Sequence, residues 1–243
     1  MPQGAFGQIR AMTDFTGAFG DTAWNGGETN LEGGWGFVSV NVGALNTVTD
    51  ESGGVLQFLT DTANNDNVAL IAGPFDPSQG SITVECRFKV SGAVTRSAMY
   101  CGLSETVALD DPVMPAEFTT ATMTYNGSGG MLGMLWDPNA TTNAWKALAG
   151  DGGAVANSAN YGANGTDATD GAVTNEYDIV RVNLYASGFG EVWHDEELVA
   201  SGQTDLTNTD LFYAILMCEN RTAGNEEFEV DYVYATSARD WTV

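Results

Sequence analysis

The chain has 243 residues, 43% of them hydrophobic and 10% aromatic, with 32 acidic side chains against 8 basic ones and a net charge of −24. A chain of this size can bury ~70–75% of its unfolded surface, so it needs no disulfide or metal staple, and its apolar content excludes a disordered polymer. The charge excludes nucleic acid, which is bound through Lys and Arg with counterion release, and it disfavours anionic membranes.

Thirty glycines against six prolines suit many tight turns, and no long stretch repeats its apolar residues every 3.6 positions. One all-β domain over 1–243 with little helix is expected. The opening Met-Pro-Gln-Gly-Ala-Phe-Gly-Gln-Ile-Arg lacks the basic then apolar order of a signal peptide, and no run approaches the ~18 apolar residues of a membrane span. Cys86, Cys101 and Cys218 fall in strand-like segments without metal-type spacing, which predicts reduced, buried thiols. The Asn-X-Ser/Thr triplets at Asn126, Asn139, Asn164 and Asn220 read as by-products of an Asn- and Thr-rich chain.

In chain order, residues 1–20 space out Phe6, Phe15 and Phe19 around Ile9 and Arg10. They read as a first strand or as an N-terminal arm that docks on a partner. Residues 35–42 begin the sandwich. Residues 55–60 and 67–72 read as a hairpin around Asp61-Thr-Ala-Asn-Asn-Asp66. In 81–90, Ile82, Val84, Cys86, Phe88 and Val90 share one face, while Thr83, Glu85, Arg87 and Lys89 share the other. Residues 131–136 are expected to pair with 119–125 across Gly127-Ser-Gly-Gly130. Residues 137–175, rich in Ala, Asn, Gly, Thr and Asp around Trp145 and Tyr161, read as a long loop region, with weak strands as the alternative and 144–148 as a candidate short strand. Residues 179–185 alternate, 188–190 turn, 191–200 return, and 228–234 alternate again as a closing edge strand. The sum is an antiparallel two-sheet jelly-roll sandwich.

Chemistry has few places to reside. Glu227, Glu229 and Asp231 alternate on one strand, as do Glu191 and Asp195 on another, and paired carboxylates are what glycoside cleavage needs. With 32 acids such pairings are expected by coincidence, so solvated strand faces are the reading taken. His194 is the single histidine and is expected on the surface of a hairpin beside Asp195; no Gly-X-Ser-X-Gly elbow or phosphate-binding loop accompanies it. No cofactor is called for. Calcium is the one cation that the oxygen ligands would suit, at Asp61, Asn64, Asn65, Asp66 and Asn67 or at Asp167 with Asp170.

Residues 81–90, the hairpin Val192-Trp-His-Asp-Glu-Glu-Leu-Val-Ala-Ser-Gly202 and the strand 228–237 together resemble the concanavalin A-like lectin/glucanase superfamily, in particular its laminin-G-like domains. In the family's hairpin a glycine follows the aspartate, where this chain has Glu196. The resemblance implies the sandwich fold and leaves function open, since such sandwiches host lectins, hydrolases, lyases and adhesion modules. The family's glucanase signature would need a third acid after Glu229-Val-Asp231, and Tyr232-Val-Tyr234 follows instead.

The whole chain, acidic, lysine-poor and rich in Gly, Asn and Thr, also resembles structural proteins of marine tailed bacteriophages. That likeness implies a non-enzymatic capsid decoration protein on the outer surface of the virion, made in the host cytoplasm. Its partner would be the major capsid protein, its form a trimer or dimer, and its contact residues Phe6, Ile9, Arg10, Phe15, Phe19, Trp145 and Tyr161. Two rivals stand beside it. One is a carbohydrate-binding module whose glycan partners stack on Trp24, Trp35, Trp136, Trp145 or Trp193; the other is a glycoside hydrolase or lyase using the acidic pairs.

Overall fold

Burial along the strands decides the architecture. In Ile82–Val90 every second side chain is fully enclosed and those between are half-exposed, and Tyr177–Leu184 follows the same rule. Such strands put one face on a core and the other in water. Ser97–Ser104 and Met131–Trp136 are buried at every position, so they need cover on both faces.

The computed structural model describes residues 8–13, 22–23, 27–40, 44–48, 54–107, 112–127, 129–151, 154–155, 158–206 and 210–238. Its strands in chain order begin with β1 Gln8–Thr13, β2 Thr22–Ala23, β3 Gly27–Asn30, β4 Trp35–Ser39, β5 Ala44–Thr47, β6 Leu56–Leu59 and β7 Asn67–Phe75. Next come β8 Ile82–Val90, β9 Ser97–Ser104, β10 Ala116–Thr119, β11 Thr122–Tyr125, β12 Met131–Trp136, β13 Lys146–Asp151 and β14 Ala154–Val155. One helical turn, α1 Ser158–Tyr161, precedes β15 Thr166–Asp167, β16 Tyr177–Leu184, β17 Phe189–His194, β18 Glu197–Gln203, β19 Phe212–Asn220 and β20 Glu227–Ala238. Among the described residues no helix is long and apolar enough to cross a membrane.

These strands form two large antiparallel sheets. The first runs β18-β17-β16-β8-β20-β6-β5-β2, with β1 beside the far half of β20, and the second runs β14-β13-β12-β9-β19-β7-β4-β3, with β15 against β13. The main core lies between them. Phe37 of the second sheet stacks on Phe58 of the first at 5.3 Å, Phe58 stacks on Phe228 at 5.0 Å, and Phe88 meets the edge of Trp145 at 5.8 Å. Each such ring contributes roughly 1.5–3 kcal/mol through burial. A second apolar cluster covers the far side of the second sheet, where Tyr100, Leu135, Leu148, Ile215 and Met217 pack under Met114, Phe118 and Met123 of the β10–β11 segment. Among the described residues, only the first sheet therefore keeps an open face.

The structure corrects four sequence readings. Residues 60–66 do not close a hairpin, because β6 belongs to the first sheet and β7 to the second; the segment crosses between sheets. Residues 122–125 pair with 116–119 instead of 131–136, and β12 lies between β9 and β13, as a strand buried on both faces must. The 137–175 region holds β13, β14, α1 and β15; Lys-Ala-Leu-Ala-Gly-Asp carries weak strand propensity, and burial of Ala147, Leu148 and Ala149 overrides it. Finally, β20 is central, flanked by β8 on one side and by β6 and β1 on the other. Phe228, Val230, Val233 and Ala235 face the core, and the outward Glu229 and Tyr232 are engaged by β8, so both of its faces are used.

The β17–β18 turn also explains the family-like hairpin. Asp195 and Glu196 adopt φ of 46° and 69°, the left-handed pair that a two-residue hairpin turn requires. Glycine takes that conformation without steric penalty, whereas Glu196 bears a Cβ. Glu196→Gly is accordingly expected to raise stability by ~0.5–1 kcal/mol, read as a higher urea midpoint with an unchanged slope.

Candidate functional site

At one end of the sandwich three connections meet: 60–66, 91–96 and 221–226. Asn220, the last residue of β19, ties two of them together. Its amide nitrogen donates to the carbonyls of Asp61 at 2.5 Å, Gly224 at 2.8 Å and Ala63 at 3.3 Å, and its Oδ1 accepts from the Thr60 hydroxyl at 2.7 Å. Its backbone exchanges further bonds with Asn65 and Asp66. Glu226 binds the third connection, accepting from Ala93 N at 2.6 Å and pairing with Arg96 at 2.8 Å. A loop end held this way presents the neighbouring side chains in fixed positions.

Beside this hub, between the end of β19 and the segment that covers the second sheet, lies a pocket of about 240 Å³ lined by Val40, Asn65, Asn67, Pro112, Val113, Glu117, Asn126 and Glu219. Its wall is charged. Arg221 Nη1 donates to Glu117 Oε2 and to Glu219 Oε1, each at 2.7 Å, and Nη2 donates to Asp137 Oδ2 at 2.5 Å. Three carboxylates thus share one guanidinium. Burial pushes the Glu219 carboxyl up to about 7, with Glu117 and Asp137 adding repulsion and Arg221 opposing them. Burial also acts on Glu117, yet the Arg221 hydrogen bond and charge outweigh it and hold that carboxyl below its ordinary value. The two groups face one pocket with different protonation near neutrality, a combination typical of functional sites.

Asn67 adds an unsatisfied group. It is 3% exposed and its amide nitrogen donates to the Pro112 carbonyl at 2.6 Å, while its Oδ1 accepts no hydrogen bond. A buried polar atom without a partner costs roughly 1–3 kcal/mol.

The residues singled out from the sequence fare differently. Trp145 and Tyr161 are wholly enclosed in the core, so neither offers a surface to a partner; the Tyr161 ring fits because Gly190 opposite it has no Cβ, which would lie 2.8 Å from the phenol oxygen. Arg10 is exposed on β1, where it stands opposite Thr236, and Ile9 stands opposite Ser237. Phe6, Phe15, Phe19 and Trp24 lie outside the described residues. Trp35 and Trp136 are core residues, and Trp193 alone of the described tryptophans reaches an open face. The acidic pairs are engaged: Glu229 with Lys89 at 2.9 Å, Asp231 with Arg87, and Glu191 with Asn183 and Tyr185 at 3.0 Å each.

His194 is not a surface residue. It shares its inward side of β17 with Val192, is 4% exposed, and bonds Asp178 Oδ1 at 2.8 Å, where the Trp145 indole N–H also donates at 2.9 Å. Burial raises the Asp178 carboxyl, opposed by the His194 bond. With Asp195 these residues place one ligand atom each within 4.8 Å, the one such convergence of His, Cys, Asp or Glu among the described residues. In the two loops read as calcium sites, Asp66 accepts from Ala63 N, and Asp167 holds Lys146 and accepts from Thr142.

Sequence reasoning noted Asn65 and Asn67 as cation ligands and missed Glu219 and Arg221 altogether. A signal was present: Glu219-Asn-Arg follows an apolar strand without a turn residue, so the burial of β19 carries into charged positions.

No family model matches this chain, and no curated protein does. Solved structures do. The carbohydrate recognition domain of Emp47p superposes with a TM-score of 0.56 at 14% identity over 87% of this chain and 91% of that one. A structure from work on endo-acting O-glycanases of the human gut microbiota, described as initiating mucin breakdown, gives 0.53 at 12% identity over 94% and 98%. The potassium-bound carbohydrate recognition domain of Emp46p gives 0.50 at 12% identity over 83% and 88%. At such identities the likeness establishes the fold, and the fold is a concanavalin A-like β-sandwich.

Proposed function

We propose that this chain is a lectin-like glycan-binding domain whose binding site is the pocket beside Asn220. The carrying observation is the set of amide and carboxylate side chains, Asn65, Asn67, Asn126, Glu117 and Glu219, that line one pocket. Amide and carboxylate groups fixed in this density match a ligand made of hydroxyls, which both donate and accept. The volume, about 240 Å³, lies below the ~300–1,000 Å³ of typical small-molecule pockets, which suits a single sugar unit at a chain end. The reading accords with the carbohydrate recognition domains that share the fold.

A glycan array followed by calorimetry tests it. Binding is expected, and Asn67→Ala should weaken the best ligand by ten-fold or more with the melting curve retained, because a site built on hydrogen bonds discriminates strongly when one is lost. An empty array, or a ligand indifferent to Asn67→Ala, removes the reading.

One observation favours an enzyme as a second reading. Glu219 holds a proton near neutrality while Glu117 is ionised, and both touch the same guanidinium nitrogen, so their nearest oxygens lie within twice 2.7 Å. That division suits an acid and a nucleophile in glycoside cleavage. Reducing-end release from a bound glycan, abolished by Glu219→Gln, distinguishes it. A virion-decoration role, with the major capsid protein as partner, draws on no feature of this pocket; the chain's presence in purified particles is its test.

A further inference from the structure

The open face of the first sheet carries a cross-strand row that the pocket does not use. In register it runs Leu198, Trp193, Arg181, Glu85, Tyr234, Met12, one residue from each of β18, β17, β16, β8, β20 and β1. With neighbouring strands ~4.8 Å apart, the row is about 24 Å long. Its middle holds an anomaly. Arg87, Lys89, Arg96, Lys146 and Arg221 each hold a carboxylate, yet Arg181 holds none in a chain with four acids for every base. The guanidinium lies over the Trp193 ring, 4.6 Å from its centroid, and both Arg181 Nε and Trp193 Nε1 are donors without acceptors. The acid opposite, Glu85, accepts from the Tyr232 hydroxyl at 2.8 Å.

We propose that this row binds an extended glycan bearing carboxylates, a chain of uronate-type sugars lying across the strands. Arg181 takes a sugar carboxylate through its planar fork, and Trp193 and Tyr234 supply ring surface for the sugars on either side. The local charge argues for this occupant: Arg181 is a guanidinium that holds no carboxylate, so it attracts an anionic group at this point of the row. The adjacent row, Ser201, Glu191, Asn183, Thr83 and Thr236, is polar, which suits hydroxyl-bearing sugars. This surface is on the opposite sheet from the pocket and stands independently of it.

Calorimetric titration of the full chain with tetragalacturonate, and with the neutral cellotetraose as its counterpart, tests the proposal. The acidic chain is expected to bind at least ten-fold more tightly, with affinity falling as salt rises. Arg181→Gln should weaken it ten-fold or more, and Tyr234→Ala should weaken it independently at the far side of Glu85. Asn67→Ala should leave it unchanged, which separates this surface from the pocket. The proposal is overturned by equal binding of the two tetrasaccharides, by no binding, or by normal binding in both variants with native melting curves. Equal binding of a polyglutamate peptide would replace the glycan with an acidic protein segment. A dimer in light scattering that Arg181→Gln dissolves would assign the face to a second copy.

Discussion

Asn220→Ala is expected to lower stability by about 3 kcal/mol and, for a domain of this size, the melting temperature by ~6–12 °C. The side chain is fully buried, and its hydrogen bonds reach Thr60, Asp61 and Ala63 of one connection and Gly224 of another. Alanine removes the acceptor of the Thr60 hydroxyl and the donor of three carbonyls at once, and no flexible neighbour can replace a fixed amide. Thermal denaturation measures the loss. Asn220→Asp is expected to do at least as much harm although it is nearly the same shape, because it turns an acceptor toward the carbonyls of Asp61, Ala63 and Gly224 and buries a charge. A loss under 1 kcal/mol in both variants would show that the loop end is held by something other than this residue. Ligand binding should fall with stability, since Asn65, Asn67 and Glu219 adjoin the hub.

Glu219→Gln is expected to make the protein more stable above pH 7, by up to about 3 kcal/mol, and to leave it unchanged near pH 4. The sign follows from the direction of the shift. In the unfolded chain Glu219 ionises at its ordinary value of 4.5, and in the folded chain only at about 7. Between those values the folded state holds a proton that the unfolded state has released, so the wild type loses stability as pH rises through that window and then levels off. Glutamine has no proton to release and lacks this slope. Asp178 and Glu105, also raised by burial, keep their own slopes in both proteins. Urea unfolding at half-unit pH steps gives the difference curve. A flat difference between pH 4.5 and 7 would remove Glu219 as the titrating group.

How much of this was readable beforehand varies by residue. The strict alternation of 81–90 and 179–185 marked β8 and β16 correctly, because each has one wet face and a period of two is then visible. β12 and β13 lose that period, since both their faces are covered, and the covering segment belongs to a different part of the chain. His194 was misplaced for a simpler reason. Position beside a turn was given more weight than parity with Val192, and parity decides which way a strand residue points. The pocket was half legible. Asn65 and Asn67 stood out as clustered oxygens, but Glu219, Arg221 and Glu117 come together only through packing of β19 against the β10–β11 segment, with up to 104 residues between partners. Contacts at that separation leave no local pattern.

The pairing of β1 with β20 has a consequence for how this domain can be built into larger molecules. Gln8 and Ala238 are direct register partners, so the two ends of the described sandwich lie on adjacent strands. A short linker could join them and new ends could be cut at an exposed turn such as Asp195-Glu196, giving a circular permutant with every strand pairing retained. By the same geometry, the whole sandwich could be spliced into a surface loop of another protein through two junctions about one strand spacing apart, leaving the host's own chain path almost undisturbed.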